Sequence, residues 1–174
     1  MSDLDILKDK KILIVDDEPD ILETLEELLD MCIIDSAPDY ETAAKFLKKN
    51  IYDVAVLDIM GVSGYDLLQQ ARERGIPALM LTAHALSPEN LKKSVESGAH
   101  AYVPKDKITD IADFVAGIIK ANEEKNPGGN KWFSRLKPFF DSKFGKNWRK
   151  KDEAFWREFD SRNVVTKDDV NDIM

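Results

Sequence analysis

Asp16, Asp17, Asp58, Thr82 and Lys105 each end or closely follow a short apolar run: KILIV, VAVL, ALMLT or AYV. Three carboxylates, a hydroxyl and an ammonium are the ingredients of a hard, oxygen-ligand metal site. They also suit phosphoryl transfer, in which a metal and a lysine neutralise charge while a carboxylate oxygen attacks phosphorus. Each residue also has a local role open to it. Asp16 and Asp17 could be loop acids ahead of Pro19, Asp58 a turn residue, Thr82 a β-branched strand residue and Lys105 a solvated charge. The case for a site rests on all five falling at strand ends together.

The elements that must position them are legible as alternating patterns. From Lys11 to about Lys125, short apolar runs alternate with amphipathic stretches, the signature of βα units and a parallel sheet. The strand candidates are KILIV (11 to 15), CIID (32 to 35), VAVL (54 to 57), ALMLT (78 to 82) and AYV (101 to 103). Helical spacing predicts helices at about 19 to 30, 40 to 49, 63 to 74, 88 to 97 and 107 to 124. The last carries Ile108, Ile111, Val115, Ile118 and Ile119 on one face. Several strands are too uniformly apolar for a sheet with one wet face, so helices should cover both faces.

The expected fold is α/β: a doubly wound, flavodoxin-like (βα)₅ domain with strand order 2-1-3-4-5. In that order the first and third strands are neighbours, so Asp16, Asp17 and Asp58 converge at the carboxyl edge, where open parallel sheets bind ligands. Three adjacent negative charges repel unless protons or a cation intervene. Mg²⁺, which accepts one or two carboxylates, a carbonyl and several waters, is the expected cofactor. Asp58 is then the expected nucleophile.

KILIVDDE, AVLDIM, LTAHA and AYVPK, in this order and spacing, resemble the receiver domain of bacterial response regulators over about two thirds of the chain. The resemblance implies that Asp58 accepts a phosphoryl group from the phosphohistidine of a histidine kinase or phosphotransfer protein. It implies Mg²⁺ bound by Asp17, Asp58 and the Met60 carbonyl, with Asp16 acting through water. Thr82 would hydrogen-bond the acyl phosphate and Lys105 would pair with it. Tyr102 stands where the family keeps a rotating switch aromatic, so Thr82 and Tyr102 are the switch candidates; the plainer reading of Tyr102 is a strand aromatic packed on the last helix. Met60 and His84 occupy positions that tune autodephosphorylation. Neither His84 nor His100 has metal-ligand spacing, and His100 reads as a loop residue.

Two departures from the family pattern stand out. After Asp58 the chain reads IMGVSGY, with Val62 in place of the usual proline and Gly64 about two residues early, which predicts a shortened loop. After Lys105 it has Asp106 where the family usually has a proline joined by a cis bond. A cis bond between non-proline residues costs about 3 kcal/mol, against less than about 1 before proline, so a trans Lys105–Asp106 bond is expected.

With 174 residues, 43% of them apolar, the chain can bury one good core. It shows no apolar run long enough to span a bilayer and no secretory start, so a cytoplasmic location is expected. The lone Cys32 excludes an internal disulfide and reads as a small core residue. The formal net charge of −8 argues against a protein built mainly to hold nucleic acid. It is unevenly spread: residues 130 to 151 hold eight basic groups and only Asp141, a local +7.

The sequence Asn126-Pro127-Gly128-Gly129-Asn130 reads as a break, dividing a receiver domain (1 to 126) from an extension (127 to 174). In the extension Pro138 and Gly145 should punctuate short helical pieces, Asn147 or Asp152 could cap a longer one reaching about Arg162, and Thr166 to Asp169 resembles a capped final turn. Trp132, Phe133, Leu136, Phe139, Phe140, Phe144, Trp148, Phe155, Trp156 and Phe159 crowd this segment. Exposed together they would be an aggregation hazard, so burial against the receiver, a second copy or a client protein is expected.

The function expected from these features is a phosphorylation switch for protein–protein interactions, a phosphoacceptor rather than a turnover enzyme, limited to autophosphorylation and autodephosphorylation. The alternatives are a DNA-binding transcriptional response regulator, for which the extension shows no helix-turn-helix pattern, and a metal-dependent phosphatase, whose usual DxD pattern Asp16-Asp17-Glu18 does not match. An amphipathic segment at a membrane surface is a weaker reading of the extension. DNA is not an expected partner.

Overall fold

A computed structural model describes residues 3–126 and 130–163. Five strands, β1 (Lys11–Val15), β2 (Ile33–Ala37), β3 (Val54–Asp58), β4 (Ala78–Thr82) and β5 (Ala101–Pro104), pair in parallel in the order β2-β1-β3-β4-β5. Helices α1 (Pro19–Leu28), α2 (Tyr40–Lys49), α3 (Gly64–Glu73), α4 (Pro88–Glu96) and α5 (Ile111–Glu123) follow the strands in turn. The extension adds α6 (Trp132–Phe144) and α7 (Glu153–Asn163).

Local chemistry sets several helix starts. Pro19 and Pro88 occupy first-turn positions, where a missing N–H costs nothing. Asp39 caps α2 by accepting from the Thr42 N–H (2.8 Å), and Ser87 caps α4 by accepting from the Asn90 N–H (3.0 Å). Every residue of β3 and β4 is buried, as uniformly apolar strands between two helical layers require. Helices α1 and α5 pack together on one face of the sheet and α2 and α3 on the other. Tyr65 of α3 donates to the Asn90 Oδ1 of α4 (2.7 Å), which places α4 with the second group.

Three expectations need correction. The fifth helix begins at Ile111 rather than near 107, because Lys107 leaves helical geometry (φ −108°, ψ 19°) and residues Lys105–Asp110 form a 3₁₀ segment. The second strand runs Ile33–Ala37 rather than 32 to 35: the Cys32 N–H is taken by the Leu29 carbonyl (2.9 Å), which ends the preceding turn. Pro138 does not break the extension into pieces but lies inside α6. Its ring faces solvent, where the carbonyl it frees can be hydrated, while Phe133, Leu136 and Phe140 of the same helix are buried. Their burial outweighs the roughly 3 kcal/mol an interior proline costs. The sequence 166 to 169, read as a capped turn, lies outside the described residues.

The extension folds back on the receiver. Arg135 of α6 reaches Asp113 of α5 (3.3 Å) and its guanidinium lies over the Phe114 ring, while Lys92 of α4 pairs with Asp152, just ahead of α7 (2.8 Å). Because α4 and α5 lie on opposite faces of the sheet, an element tied to both must pass around the edge strand, and α6 does lie against β5. Trp132, Phe133, Leu136, Phe140, Trp148, Trp156 and Phe159 are buried in one cluster continuous with the receiver core. Gly145, in a left-handed conformation (φ 89°), ends α6. Asp141 closes the turn by accepting from the Trp148 indole N–H and from Lys137, both at 2.8 Å.

Candidate functional site

The strand register builds the site. Val15 faces Leu57 across β1 and β3, so Asp16 follows one strand just where Asp58 ends the next. Asp58 pairs with Leu81 and Thr82 with Pro104, which sets the hydroxyl of Thr82 and the start of Lys105 one step further along the same edge. Carboxylate oxygens of Asp16, Asp17 and Asp58 all lie within 4.8 Å of one another. Asp16 and Asp58 are buried and Asp17 is exposed, so the cluster opens to solvent on one side.

Lys105 enters this cluster as a buried cation. Its Nζ stands 2.8 Å from Asp16 Oδ2, 3.3 Å from Glu18 Oε2 and 3.7 Å from Asp58 Oδ1. The Glu18 N–H donates to Asp16 Oδ1 (2.9 Å), fixing the turn after β1. Burial lifts Asp58 from 3.8 to about 6, and the neighbouring charges of Asp16, Asp17 and Glu18 add to it against the pull of Lys105. Burial also raises Asp16 above the usual carboxylate range despite the lysine and the Glu18 N–H. The same desolvation works against the Lys105 ammonium, but its close ion pair with Asp16 and the surrounding negative charges hold it above its ordinary value.

Three features shape the loop between β3 and α3. Gly61 is left-handed (φ 84°), and a side chain there would run into the Asp17 carboxylate. Ser63 takes a left-handed conformation (φ 54°) rarely adopted outside glycine. A Cβ on Gly64 would collide with the Asp58 carbonyl oxygen. Gly61 therefore lets the loop lie against the Asp17 carboxylate and Gly64 lets it lie against the Asp58 main chain, roles the sequence reading missed. For Gly64, its early placement relative to the family pattern was the available signal. Met60, expected to offer its carbonyl, sits in this loop with its side chain exposed.

The donor set fits Mg²⁺: three hard carboxylates within reach of a single ion, one open to water, and a glycine cradle beside Asp17 that a Cβ would fill. Thr82 is fully buried, and its Oγ1 accepts from the Ala85 N–H (3.0 Å). Tyr102 is also fully buried, donating its hydroxyl to the Ala85 carbonyl (2.7 Å) and accepting from the Ser87 N–H (3.2 Å). Its ring, expected against the last receiver helix, meets α6 instead, with Phe140 at 6.0 Å.

His84 is exposed, 3.7 Å from Glu18, and the His100 carbonyl accepts from the Asn130 amide (2.7 Å) in the turn before β5. Glu18, a partner of Lys105, was not singled out from sequence although it stands beside the paired aspartates. No peptide bond among the described residues is cis, so Lys105–Asp106 is trans as expected.

A doubly wound parallel sheet with an acidic cluster and a buried lysine at its carboxyl edge defines a class of signalling domain. Residues 12–116 match the model of the response regulator receiver domain, and the chain belongs to that family. It is 36% identical over 108 residues to "Probable transcriptional regulator ycf27" of Guillardia theta, covering 59% of this chain and 42% of that one. It is 39% identical over 99 residues to "Heme response regulator HssR" of Staphylococcus aureus (strain Newman), covering 53% and 43%. The match thus spans less than half the length of either relative. Among solved structures, a CheY-like response regulator receiver domain protein from Methanospirillum hungatei JF-1 superposes with a TM-score of 0.62 at 25% identity, covering 68% of this chain and all of that one. No helix among the described residues is long and apolar enough to cross a membrane.

Proposed function

We propose that the chain is a Mg²⁺-dependent phosphoacceptor that takes a phosphoryl group on Asp58 from a histidine kinase or phosphotransfer protein and switches protein–protein contacts in response. The observation that carries this reading is the placement of a buried Asp58 carboxylate at a strand end, with Lys105 3.7 Å away and Asp16 and Asp17 converging on it. An Asp58 oxygen would form the new bond to phosphorus as the P–N bond of a phosphohistidine breaks. The bonding pair returns to the imidazole, which is protonated from solvent.

Asp16, Asp17, Asp58 and the Met60 carbonyl would hold Mg²⁺, which neutralises charge on the transferring group. Thr82 would donate its hydroxyl proton to a phosphoryl oxygen, and Lys105 would turn from Asp16 towards the new dianion. With no substrate turned over, the domain acts as a switch and not as an enzyme with a product to release. The extension supports a protein contact over a DNA contact: Arg135, Lys137 and Arg149 are already paired with Asp113, Asp141 and Asp160. Cytoplasmic work follows from a kinase phosphodonor.

Incubation with acetyl phosphate and Mg²⁺ should add one phosphate, detected as a single mass increment. Labelling should be lost in Asp58→Ala and on adding a chelator. Undiminished labelling of Asp58→Ala would remove the assignment.

A further inference from the structure

The site and the extension are joined by an unbroken set of contacts. Thr82 Oγ1 accepts from the Ala85 N–H (3.0 Å), and the Ala85 carbonyl receives the Tyr102 hydroxyl (2.7 Å). The Tyr102 ring meets Phe140, which faces Trp148 at 6.3 Å and stacks on Phe133 at 6.1 Å, itself stacked on Trp156 at 5.6 Å. Ser87, whose N–H also holds Tyr102, caps α4, and Lys92 on α4 grips Asp152 of the extension. The rim of the acidic cluster and the indoles of the extension are thus connected through one tyrosine.

The sign of the connection follows from hydrogen-bond chemistry. A threonine hydroxyl has lone pairs to accept with and one proton to donate. Thr82 spends only a lone pair on Ala85, so its proton is free for an oxygen or fluorine atom held at Asp58, and that bond leaves the Thr82–Ala85 contact in place. An occupant at Asp58 that takes this proton fixes the hydroxyl in the orientation whose lone pair faces the Ala85 N–H, and so favours the loop arrangement that receives the inward Tyr102. Docking of α6 favours it too, because Phe140 closes over the inward ring. Two events that favour one arrangement must strengthen each other, by the same factor in each direction.

We infer that the α6–α7 extension is this receiver's own output partner: its seat on α4, β5 and α5 and the binding of a phosphoryl group at Asp58 stabilise the same inward Tyr102. The inference rests on the proposal that Asp58 is the acceptor. The phosphate signal is then read first within the chain, as tighter docking of the extension, and the face around Tyr102 is closed to other proteins while the extension sits on it.

Beryllofluoride, a non-covalent phosphoryl mimic, tests both directions on the full chain in the presence of Mg²⁺. All three tryptophans, Trp132, Trp148 and Trp156, lie in the extension, so tryptophan quenching by acrylamide reports on it alone. Beryllofluoride should reduce that quenching in the parent. Phe140→Leu, which keeps apolar volume but removes the ring, should bind beryllofluoride about fivefold or more weakly, the lower end of a typical coupling. Lys92→Gln, which loosens the extension without touching the core, should shift affinity the same way and guards against misfolding of the first variant. Parent-like affinity in both folded variants would overturn the inference, as would quenching that ignores beryllofluoride in a parent that binds it. Failure of the parent to bind at all would instead overturn the Asp58 reading, and the inference with it.

Discussion

Lys105 Nζ lies closer to Asp16 (2.8 Å) than to Asp58 (3.7 Å), so a buried ammonium is shared unequally between two buried carboxylates. Its side chain is only 8% exposed, and water can replace it poorly. Lysine at this position was expected to pair with an incoming phosphoryl group. In the structure it already neutralises part of the acidic cluster, and any phosphoryl group must draw it away from Asp16.

Removing that ammonium should therefore destabilise the fold before any phosphate is involved. Lys105→Met leaves two buried carboxylates with no cation, and breaking a buried pair typically costs about 3 to 5 kcal/mol. Urea unfolding in chelator at pH 7.5 should show a lower midpoint, and lowering the pH to about 5 should recover part of the loss as Asp58 takes a proton. An unchanged midpoint at pH 7.5 would mean that solvent screens the site far more than its burial indicates.

Asp58 predicts a pH dependence of opposite origin. Its carboxyl is raised from 3.8 to about 6, chiefly by burial, so the folded chain holds this proton more tightly than the unfolded one. That contribution to stability is full below about pH 3.8 and is lost as the pH rises through about 6. Without Mg²⁺, Asp58→Asn should be more stable than the parent above pH 6, by at most about 3 kcal/mol, with the gap closing towards pH 4. Mg²⁺ should narrow the gap by stabilising the parent. Denaturation midpoints across pH 4 to 8 check this, and a pH-independent gap contradicts it.

Gly61 and Gly64 should fail differently. An alanine at Gly64 meets the backbone carbonyl of Asp58, which cannot swing aside, so Gly64→Ala should cost about 2 kcal/mol or more of stability. At Gly61 the obstacle is the Asp17 side chain, which can rotate away, although the left-handed backbone adds strain. Gly61→Ala should show its larger effect in Mg²⁺ affinity, falling about tenfold by calorimetric titration. Unaltered Mg²⁺ binding in Gly61→Ala would separate the glycine from the ion site.

Burial predicts which aromatics of the extension matter. Phe133 touches the rings of Trp132, Phe140, Trp148, Trp156 and Phe159, and Phe133→Ala should cost about 3 to 5 kcal/mol. Phe139 is half-buried, and Phe139→Ala should cost less. Because one apolar cluster spans receiver and extension, tryptophan emission and far-ultraviolet circular dichroism should report a single unfolding transition in the parent. Two separate transitions would show that the extension folds independently.

The sheet and the acidic cluster were legible because they depend on local patterns: uniform apolar runs give buried parallel strands, and the 2-1-3-4-5 order brings Asp16, Asp17 and Asp58 together. Thr82 and Lys105 followed from the same strand ends, and Tyr102 from the family resemblance alone. What sequence did not show was set by contacts distant along the chain. Pro138 reads as a breaker by local rules, and only the burial of Phe133, Leu136 and Phe140 on the far side of the same helix carries α6 past it. The start of α5 slipped from near 107 to Ile111 because Ile108 fits a helical pattern that the turn at Lys107 does not continue. That the aromatics needed burial was clear, while their seat on α4, β5 and α5 depended on pairs such as Lys92 with Asp152, sixty positions apart.

The passage of the extension around β5 has a consequence for assembly. An open sheet has two edges, and each can recruit a strand from another molecule. Here β5 is buried along its whole length, whereas β2 begins with an exposed Ile33 and is only partly covered. With β2 the only open edge among the described residues, strand addition would join two copies through their β2 strands about a twofold axis and then have nowhere to continue. Such a contact is self-limiting. The docked extension would thus cap growth at β5, and loss of its seat would leave both edges of the sheet open to strand addition.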